Sequence, residues 1–201
     1  MNSKEKSLQR WVVGAASALL VLCSSIPAAA GSAVAFRTMM RNCQDQSIPA
    51  DARIEACTAL IHSNLMSHKM LGVIYAIRAN AYEAKPDNAL AVQDYTRAIE
   101  LMPEFPEAFA NRASLLEQME KGKEAAADFE RAGLIHLKHD DCAHALPELD
   151  RAVSDDPQRS MALYARGICQ KHLGKESAAE EDMRAAAALD PDVEKHFAAL
   201  Q

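Results

Sequence analysis

A set of residue types that returns at a fixed interval constrains the fold of this chain more than any other feature. A small, an aromatic and a small residue stand four and three positions apart, and the set occurs twice in succession, as Ala91, Tyr95, Ala98 and then Ala125, Phe129, Ala132. Positions spaced in this way lie on one face of a helix, where small side chains let a neighbouring helix approach closely. The pattern predicts stacked helical hairpins.

A companion pattern with the same period precedes each of these sets. A bulky, a small and a bulky residue recur, as Tyr75, Ala79, Tyr82 and then Phe109, Ala113, Leu116, with Pro103 closing the helix between them. Together the two patterns resemble the tetratricopeptide repeat family, whose period is about 34 residues. The fullest copy here contains Leu163, Gly167, Gly174, Ala179, Met183, Ala186 and Pro191. The resemblance implies an all-α fold, a right-handed solenoid of antiparallel helix pairs with about three to four such repeats.

Start and stop signals place the individual helices. They predict helices near 50–63, 69–84, 88–101, 105–119, 122–138, 142–154, 159–172 and 175–188. Residues 31–47 show no strong period, and we expect an arm with at most a short helix there. The segment 192–201 is expected to contribute a short capping helix with a polar outer face.

The repeat register is irregular near residues 122–142. Counting forward from Ala91 by whole repeats leads to Ala125, whereas counting backward from Ala179 leads to Ala145, which lies less than one repeat beyond Ala125. The segment Glu124–Lys138 therefore fits both the second helix of one repeat and the first helix of the next. We expect one helix to serve only one role. Either a long helix ends the first pair of repeats and an odd helix follows, which we favour, or the chain forms two short stacks.

The segment 1–30 has the organisation of a secretory signal peptide. Three basic residues precede an apolar run, Trp11–Leu22, and three alanines end at Ala30. This predicts cleavage near Ala30 and an exported protein, periplasmic or extracellular. An uncleaved membrane anchor is one alternative, although two serines and a proline interrupt the run. A lipoprotein at Cys23 is another, although Leu22 is larger than the residue that normally precedes a lipidated cysteine.

Cleavage would leave an N-terminal arm and helix at 31–68, tied by a disulfide, and a repeat domain at 69–201. The formal net charge of the whole chain is −6. Loss of three basic residues and one acidic residue with the leader makes it −8. A nucleic-acid partner is excluded on this ground, because such a protein needs a basic surface to neutralise phosphates.

Four cysteines follow the leader, and export would place them in an oxidising compartment. A bridge from Cys43 to Cys57 is the favoured pairing; closing this short loop would stabilise the fold by about 3 kcal/mol on the chain-entropy model. The cysteines and their helix, leading into a repeat, are similar to small exported bacterial tetratricopeptide proteins. Cys142 and Cys169 are the remaining candidates, with no sequence feature that fixes their separation. Free thiols and the other pairings stay open.

The densest group of potential metal ligands is HLKHDDCAHA, with His136, His139 and His144. Imidazole and thiolate suit zinc or copper. The favoured interpretation is nevertheless a solvated turn between helices, and we expect no cofactor. No phosphate loop, nucleophile elbow or zinc-protease helix is present in the sequence. We therefore expect a protein that is not an enzyme.

The family resemblance implies a peptide-binding groove lined by the first helix of each repeat. Its positions here are Val73, Ala76, Asn80, Glu83, Glu107, Ala110, Asn111, Ser114 and Glu117. Asn80 and Asn111 match asparagines that hold a terminal carboxylate in co-chaperone members, but Ala76 stands where those members have lysine. Simple exposed helix surface is the alternative. Three arginines that precede the small residue of each first helix are expected to form salt bridges, namely Arg78, Arg112 and Arg166.

These features predict an exported scaffold that binds a protein or peptide partner of unknown identity. The alternatives are an anchored assembly factor of an envelope complex, with the leader retained, and a metal-binding protein that uses the three histidines.

Overall fold

The computed structural model describes residues 30–85 and 88–200. The predicted signal peptide and Cys23 lie outside the described residues, apart from Ala30 at its end. Along the part of the chain that the structure describes, no helix has both the length and the apolar character needed to cross a membrane.

The described residues form ten α-helices and no strand. They are α1 (Ala30–Gln44), α2 (Ala50–His62), α3 (His68–Glu83), α4 (Asn88–Leu101), α5 (Pro106–Gln118), α6 (Gly122–Lys138), α7 (Cys142–Asp155), α8 (Ser160–His172), α9 (Glu176–Leu189) and α10 (Val193–Ala198). The predicted all-α class, built from antiparallel helix pairs, is confirmed. The helices group into two compact units, Met1–Leu101 and Met102–Gln201, so a boundary falls inside the segment 69–201 that we predicted as one repeat domain.

In the first unit, α1 replaces the expected arm. The prediction of at most a short helix over residues 31–47 is wrong, because α1 is 15 residues long and packs against α2 and α3. Phe36, Met40 and Cys43 are buried at spacings of four and three, which is one helical stripe. A disulfide joins Cys43 to Cys57 on α2, with the Cα atoms 4.8 Å apart. This is the pairing favoured from the sequence, and it fastens α1 to α2.

Three tight turns in the second unit share one backbone design. Glu120, Asp140 and Gly174 follow α5, α6 and α8, with φ angles of 60°, 58° and 72°. In each turn the next N–H donates to a carbonyl five residues back, at 2.9 to 3.0 Å. A left-handed residue with this hydrogen bond is the usual way to end a helix and start an antiparallel neighbour. The hairpins α5/α6, α6/α7 and α8/α9 are therefore equivalent units.

Helix α6 thus belongs to two hairpins at once, which corrects our expectation that one helix would serve a single role. Its first stripe, with Ala125 and Ala132, is buried in the hairpin with α5, and Gly133 faces Ala145 and Leu149 of α7. Both stripes fit because nine of its 17 residues are buried. We favoured a long helix followed by an odd, unpaired one. The long helix α6 and the following helix α7 are both present, but α7 is not unpaired, because it packs against α6.

The remaining helices continue from α7. A disulfide joins Cys142, the first residue of α7, to Cys169 on α8, with the Cα atoms 5.1 Å apart. Helix α8 then packs against α6, α9 and α10. The short α10 is held through Val193, which is buried with Leu163 and Ala186. The capping helix predicted near the C-terminus is present as α10.

Candidate functional site

The three repeated arginines are structural. Arg78, Arg112 and Arg166 each form two hydrogen bonds, of 2.7 to 2.8 Å, with an aspartate 16 residues later: Asp94, Asp128 and Asp182. All three aspartates are buried. The hydrogen bond to its aspartate, opposed by burial, raises the pKa of the Arg78 and Arg166 guanidinium groups. The predicted salt bridges are confirmed, and each one links the two helices of a hairpin.

The hairpin α6/α7 lacks this link for a physical reason. The position equivalent to Arg166 in α6 is Ala132, one full repeat before it. Ala132 is fully buried because it is also the small residue of the stripe that faces α5. A helix that serves both hairpins has room for a methyl group there but not for a guanidinium.

On α3, two of the four groove candidates are buried in their own unit. Val73 and Ala76 are only 8% and 7% exposed, so they present little surface to a ligand. The side-chain amide oxygen Oδ1 of Asn80 accepts a hydrogen bond of 3.3 Å from the Arg53 guanidinium of α2. Glu83 is exposed and accepts a hydrogen bond from the Tyr95 hydroxyl. No pattern in the sequence indicated that α2 would cover this side of α3.

On α5, all five candidates remain partly exposed. We call these residues the α5 face: Glu107, Ala110, Asn111, Ser114 and Glu117. They lie within the second unit, whereas the α3 candidates lie in the first. Successive members are three positions apart or adjacent, so they follow one side of the helix. This is the set of predicted groove residues that the structure leaves accessible together.

An arginine that sequence reasoning missed organises one end of the α5 face. Arg151 of α7 donates to the Ser114 hydroxyl at 3.0 Å and to both carboxylate oxygens of Glu117. Its guanidinium carbon lies 3.9 Å from the centre of the Phe129 ring, a cation–π contact. The separation of one repeat length between Glu117 and Arg151 is the one sequence signal that pointed to this contact. Ser114 and Glu117 are consequently held in fixed orientations.

Two carboxyl groups near this face have a raised pKa. Burial raises the pKa of Glu107, although its own backbone N–H and the nearby His144 favour the charged form. Burial and the charge of Glu117 raise the pKa of Asp155, and one Asp155 oxygen is buried without a hydrogen bond in the described structure. The Arg151 guanidinium favours the charged form of Asp155 but does not reverse the rise in its pKa. The carboxyl groups of this region are only partly neutralised by the Arg151 guanidinium.

Of the predicted metal candidates, His144 lies near enough to Glu107 to affect its pKa. The His136 and His144 rings stack with centroids 5.5 Å apart, and Asp141 Oδ2 lies 2.7 Å from His144 Nδ1. Burial lowers the pKa of His136, with Asp141 acting in the opposite direction. Cys142 is in a disulfide. Across residues 30–85 and 88–200, no three histidine, cysteine or acidic side chains gather in a way that could hold a metal ion.

Comparisons with known proteins give one family match. Residues 130–194 match the family model described as "Tetratricopeptide repeat". The matched segment runs from α6 to α10, so it contains the hairpin that α6 forms with α7 and the hairpin α8/α9. The search of curated proteins found no match.

Solved structures with a similar backbone include three of interest. The structure described as "Crystal structure of MamA protein" has 14% sequence identity to this chain and a TM-score of 0.44. The match covers 80% of this chain and 94% of that chain. MamA from Desulfovibrio magneticus RS-1 has 15% sequence identity and a TM-score of 0.39, with 78% of this chain and 94% of that chain covered. YrrB, described as "a TPR protein with an unusual peptide-binding site", has 25% sequence identity and a TM-score of 0.36, with 69% of this chain and 76% of that chain covered. At these scores the three structures say nothing about the site of this chain.

Proposed function

We propose that this chain, a tetratricopeptide repeat protein by its match over residues 130–194, is a scaffold that binds a protein or peptide partner on the α5 face. The observation that carries the proposal is the difference between two equivalent helices. Positions 73 and 76 are buried on α3, whereas the equivalent positions Glu107 and Ala110 on α5 stay partly exposed. The binding residues are therefore those of the second unit.

The chemistry of the α5 face suits an extended peptide backbone. Asn111 is half-buried, and within the described residues its side chain forms no hydrogen bond. Its amide can donate to a carbonyl and accept from an N–H of a bound peptide. Ala110 leaves room for the peptide to approach. Ser114 and Glu117, held by Arg151, are pre-oriented, which lowers the entropy cost of binding.

The charges near the face favour a partner with a basic side chain. Glu107, Glu117 and Asp155 lie on or beside it, and Arg151 is the guanidinium that contacts Glu117. A lysine or arginine of the partner would restore the charged form of a carboxyl group whose pKa burial has raised. Binding of this kind would strengthen as the pH rises through the raised pKa of Glu107.

Export remains part of the proposal. The leader-like segment 1–30 and the two disulfides support an oxidising compartment. N-terminal sequencing of the protein recovered from cells tests this directly. A mature N-terminus at Gly31 is the expected result, and an intact leader would favour the anchored assembly factor instead. We place the chain among binding proteins rather than enzymes because its candidate face is an extended helix surface.

The test of the α5 face uses two asparagines as a matched pair. Protein beginning at Gly31 is crosslinked in an envelope extract, and partners are identified by mass spectrometry for the parent, Asn111→Ala and Asn80→Ala. We expect partners to be lost with Asn111→Ala and kept with Asn80→Ala, because Asn80 is already bonded to Arg53. Partners that survive Asn111→Ala in a folded protein would place binding elsewhere.

A further inference from the structure

The double role of α6 creates a second first-helix surface in the second unit. In the hairpin with α5, α6 is the second helix; in the hairpin with α7, it is the first. The first helices that follow this second register are α6 and α8, and these two pack against each other. A surface equivalent to the α5 face therefore exists on α8, separate from the proposed site.

The α8 surface has a different chemistry from the α5 face. Met161, Tyr164 and Ile168, which we call the α8 face, stand at the positions equivalent to Glu107, Ala110 and Ser114. The three residues of the α8 face are half-buried, so each keeps part of its side chain at the surface. Where α5 offers a carboxylate and a hydroxyl, α8 offers a thioether, a phenol and an aliphatic chain. Such a surface selects an apolar partner group.

The chain itself shows what fits there. Phe197 of α10 lies with its ring centroid 5.3 Å from that of Tyr164, at an interplanar angle of 60°. This is the tilted arrangement that aromatic pairs prefer. Met161, Ile168 and Phe197 pack on the same buried cluster. An aromatic side chain on a short helix is thus already seated against the α8 face.

The hold of α10 on this position is slight. The helix has six residues, and Val193 is the one that is buried. Glu194, Lys195, His196 and Ala198 are exposed, and Phe197 is half-buried. Burial and the charge of Glu194 both raise the pKa of Tyr164, as expected for a phenol partly covered by this helix. Few contacts must break for Phe197 to leave.

The net charge of the second unit favours a partner that is basic. Residues 102–201 contain 20 acidic residues and 12 lysines or arginines, a formal charge of −8. Residues 30–101 contain seven of each and are neutral. A field of this sign steers basic ligands and repels acidic ones. The segment 192–200 holds two acidic residues, Asp192 and Glu194, and one lysine, Lys195, so its formal charge of −1 has the same sign as that of the unit it packs on.

We propose that the α8 face binds a basic amphipathic peptide through an aromatic anchor, and that Phe197 holds this position until such a partner displaces it. The inference concerns a surface distinct from the α5 face and stands whether or not that face binds a peptide. Because Phe197 competes for the site, the apparent Kd for the partner equals the intrinsic Kd divided by the fraction of molecules in which the site is open.

The probe is a fluorescein-labelled peptide with the sequence of residues 192–200, in which the residues equivalent to Asp192 and Glu194 are lysine. Its binding to the full chain and to Phe197→Ala is measured by fluorescence anisotropy. We expect Phe197→Ala to bind the probe at least about tenfold more tightly than the parent, since the competing ring is gone. A probe with alanine in place of its phenylalanine should not bind.

Two variants locate the binding. Tyr164→Ala combined with Phe197→Ala should lose the probe, whereas Asn111→Ala combined with Phe197→Ala should bind it as Phe197→Ala does. Raising the salt concentration should weaken binding because the attraction to the acidic unit is screened. Equal affinity of parent and Phe197→Ala, absence of binding to both, or binding that survives Tyr164→Ala would each overturn the proposal.

A measurement on the unaltered protein guards against misfolding of the variants. Hydrogen exchange of residues 193–198 is followed in the parent with and without a saturating amount of probe. We expect faster exchange in α10 when the probe is bound, because α10 has been displaced. Unchanged or slower exchange with the probe bound would show that α10 does not compete. Sedimentation in the same samples would reveal a second copy of the chain as the occupant instead.

Discussion

Gly133 of α6 lies directly against Leu149 of α7: a Cβ added at position 133 would fall 2.6 Å from Leu149 Cγ and 2.8 Å from its Cδ2. Leu149 is fully buried and cannot move aside. The same relationship recurs between Gly167 and Met183, at 3.0 Å. The two helices of the hairpins α6/α7 and α8/α9 approach each other closely at these glycines.

Gly133→Ala should destabilise the protein by about 1–3 kcal/mol, because the added methyl group overpacks the interface with Leu149. Thermal unfolding measures the change. Gly122→Ala is the matched control, since the nearest atom to its Cβ would be 4.0 Å away. At the first residue of α6, alanine should be neutral or stabilise by up to about 1 kcal/mol. Equal effects of the two substitutions would contradict the packing described for α6.

Asp128→Ala should destabilise the protein by about 3–5 kcal/mol, because it strands the half-buried Arg112 guanidinium without its carboxylate. Asp150→Ala is the same substitution at an exposed partner of Arg166, with a side chain 56% exposed. It should cost no more than about 1 kcal/mol. Denaturant unfolding of both variants gives the comparison, and a similar loss in each would mean that burial does not determine the strength of these pairs.

Replacing both Cys142 and Cys169 by serine should lower the free energy of unfolding by about 3–4 kcal/mol on the chain-entropy model, for a sequence separation of 27. Replacing Cys43 and Cys57, separated by 14, should cost about 3 kcal/mol. Thermal unfolding of the parent and of both variants, with and without a reductant, measures how much each disulfide contributes to stability. Alkylation of Cys43 or Cys57 in the unreduced parent, detected by mass spectrometry, would contradict the first bridge, and alkylation of Cys142 or Cys169 would contradict the second.

Glu107→Gln should stabilise the protein at neutral pH. Burial raises the pKa of the Glu107 carboxyl in the folded protein above its value in the unfolded chain. Between these two pKa values, folding is accompanied by uptake of a proton. Stability is therefore greatest below the unfolded pKa and is lost as the pH rises through the folded pKa. The gain from glutamine should vanish below the ordinary range of glutamate. Melting temperatures measured from acidic to neutral pH test this.

Glu104→Gln provides the opposite sign for comparison. The hydrogen bond from Lys138 lowers the pKa of the exposed Glu104 carboxyl, so its small contribution to stability is present above the ordinary pKa and is lost as the pH falls. Glu104→Gln should therefore leave the stability unchanged or slightly lower at neutral pH. A gain in both variants would mean that burial of Glu107 is not the cause.

The surroundings of the candidate groove residues were less predictable than the fold. Asn80 and Asn111 are both predicted groove residues, yet Arg53 of α2 engages only Asn80. Phe36, Met40 and Cys43 form a stripe too short to stand out among neighbours of mixed polarity, and the helix α1 was missed. Arg151 reaches Ser114 and Glu117 across a distance in sequence that no local pattern encodes.

The sequence by itself determined the helical hairpins. Each hairpin is built from residues that are close together in the chain, so its small and aromatic residues and its turn recur as a pattern that can be read directly from the sequence. It also indicated that Glu124–Lys138 fits two registers. Only the tertiary structure decided that α6 serves both, that α2 covers α3, and that Phe197 sits against Tyr164. Exposure and contact depend on residues far apart in the chain, and periodicity within one helix does not report which neighbour will cover it.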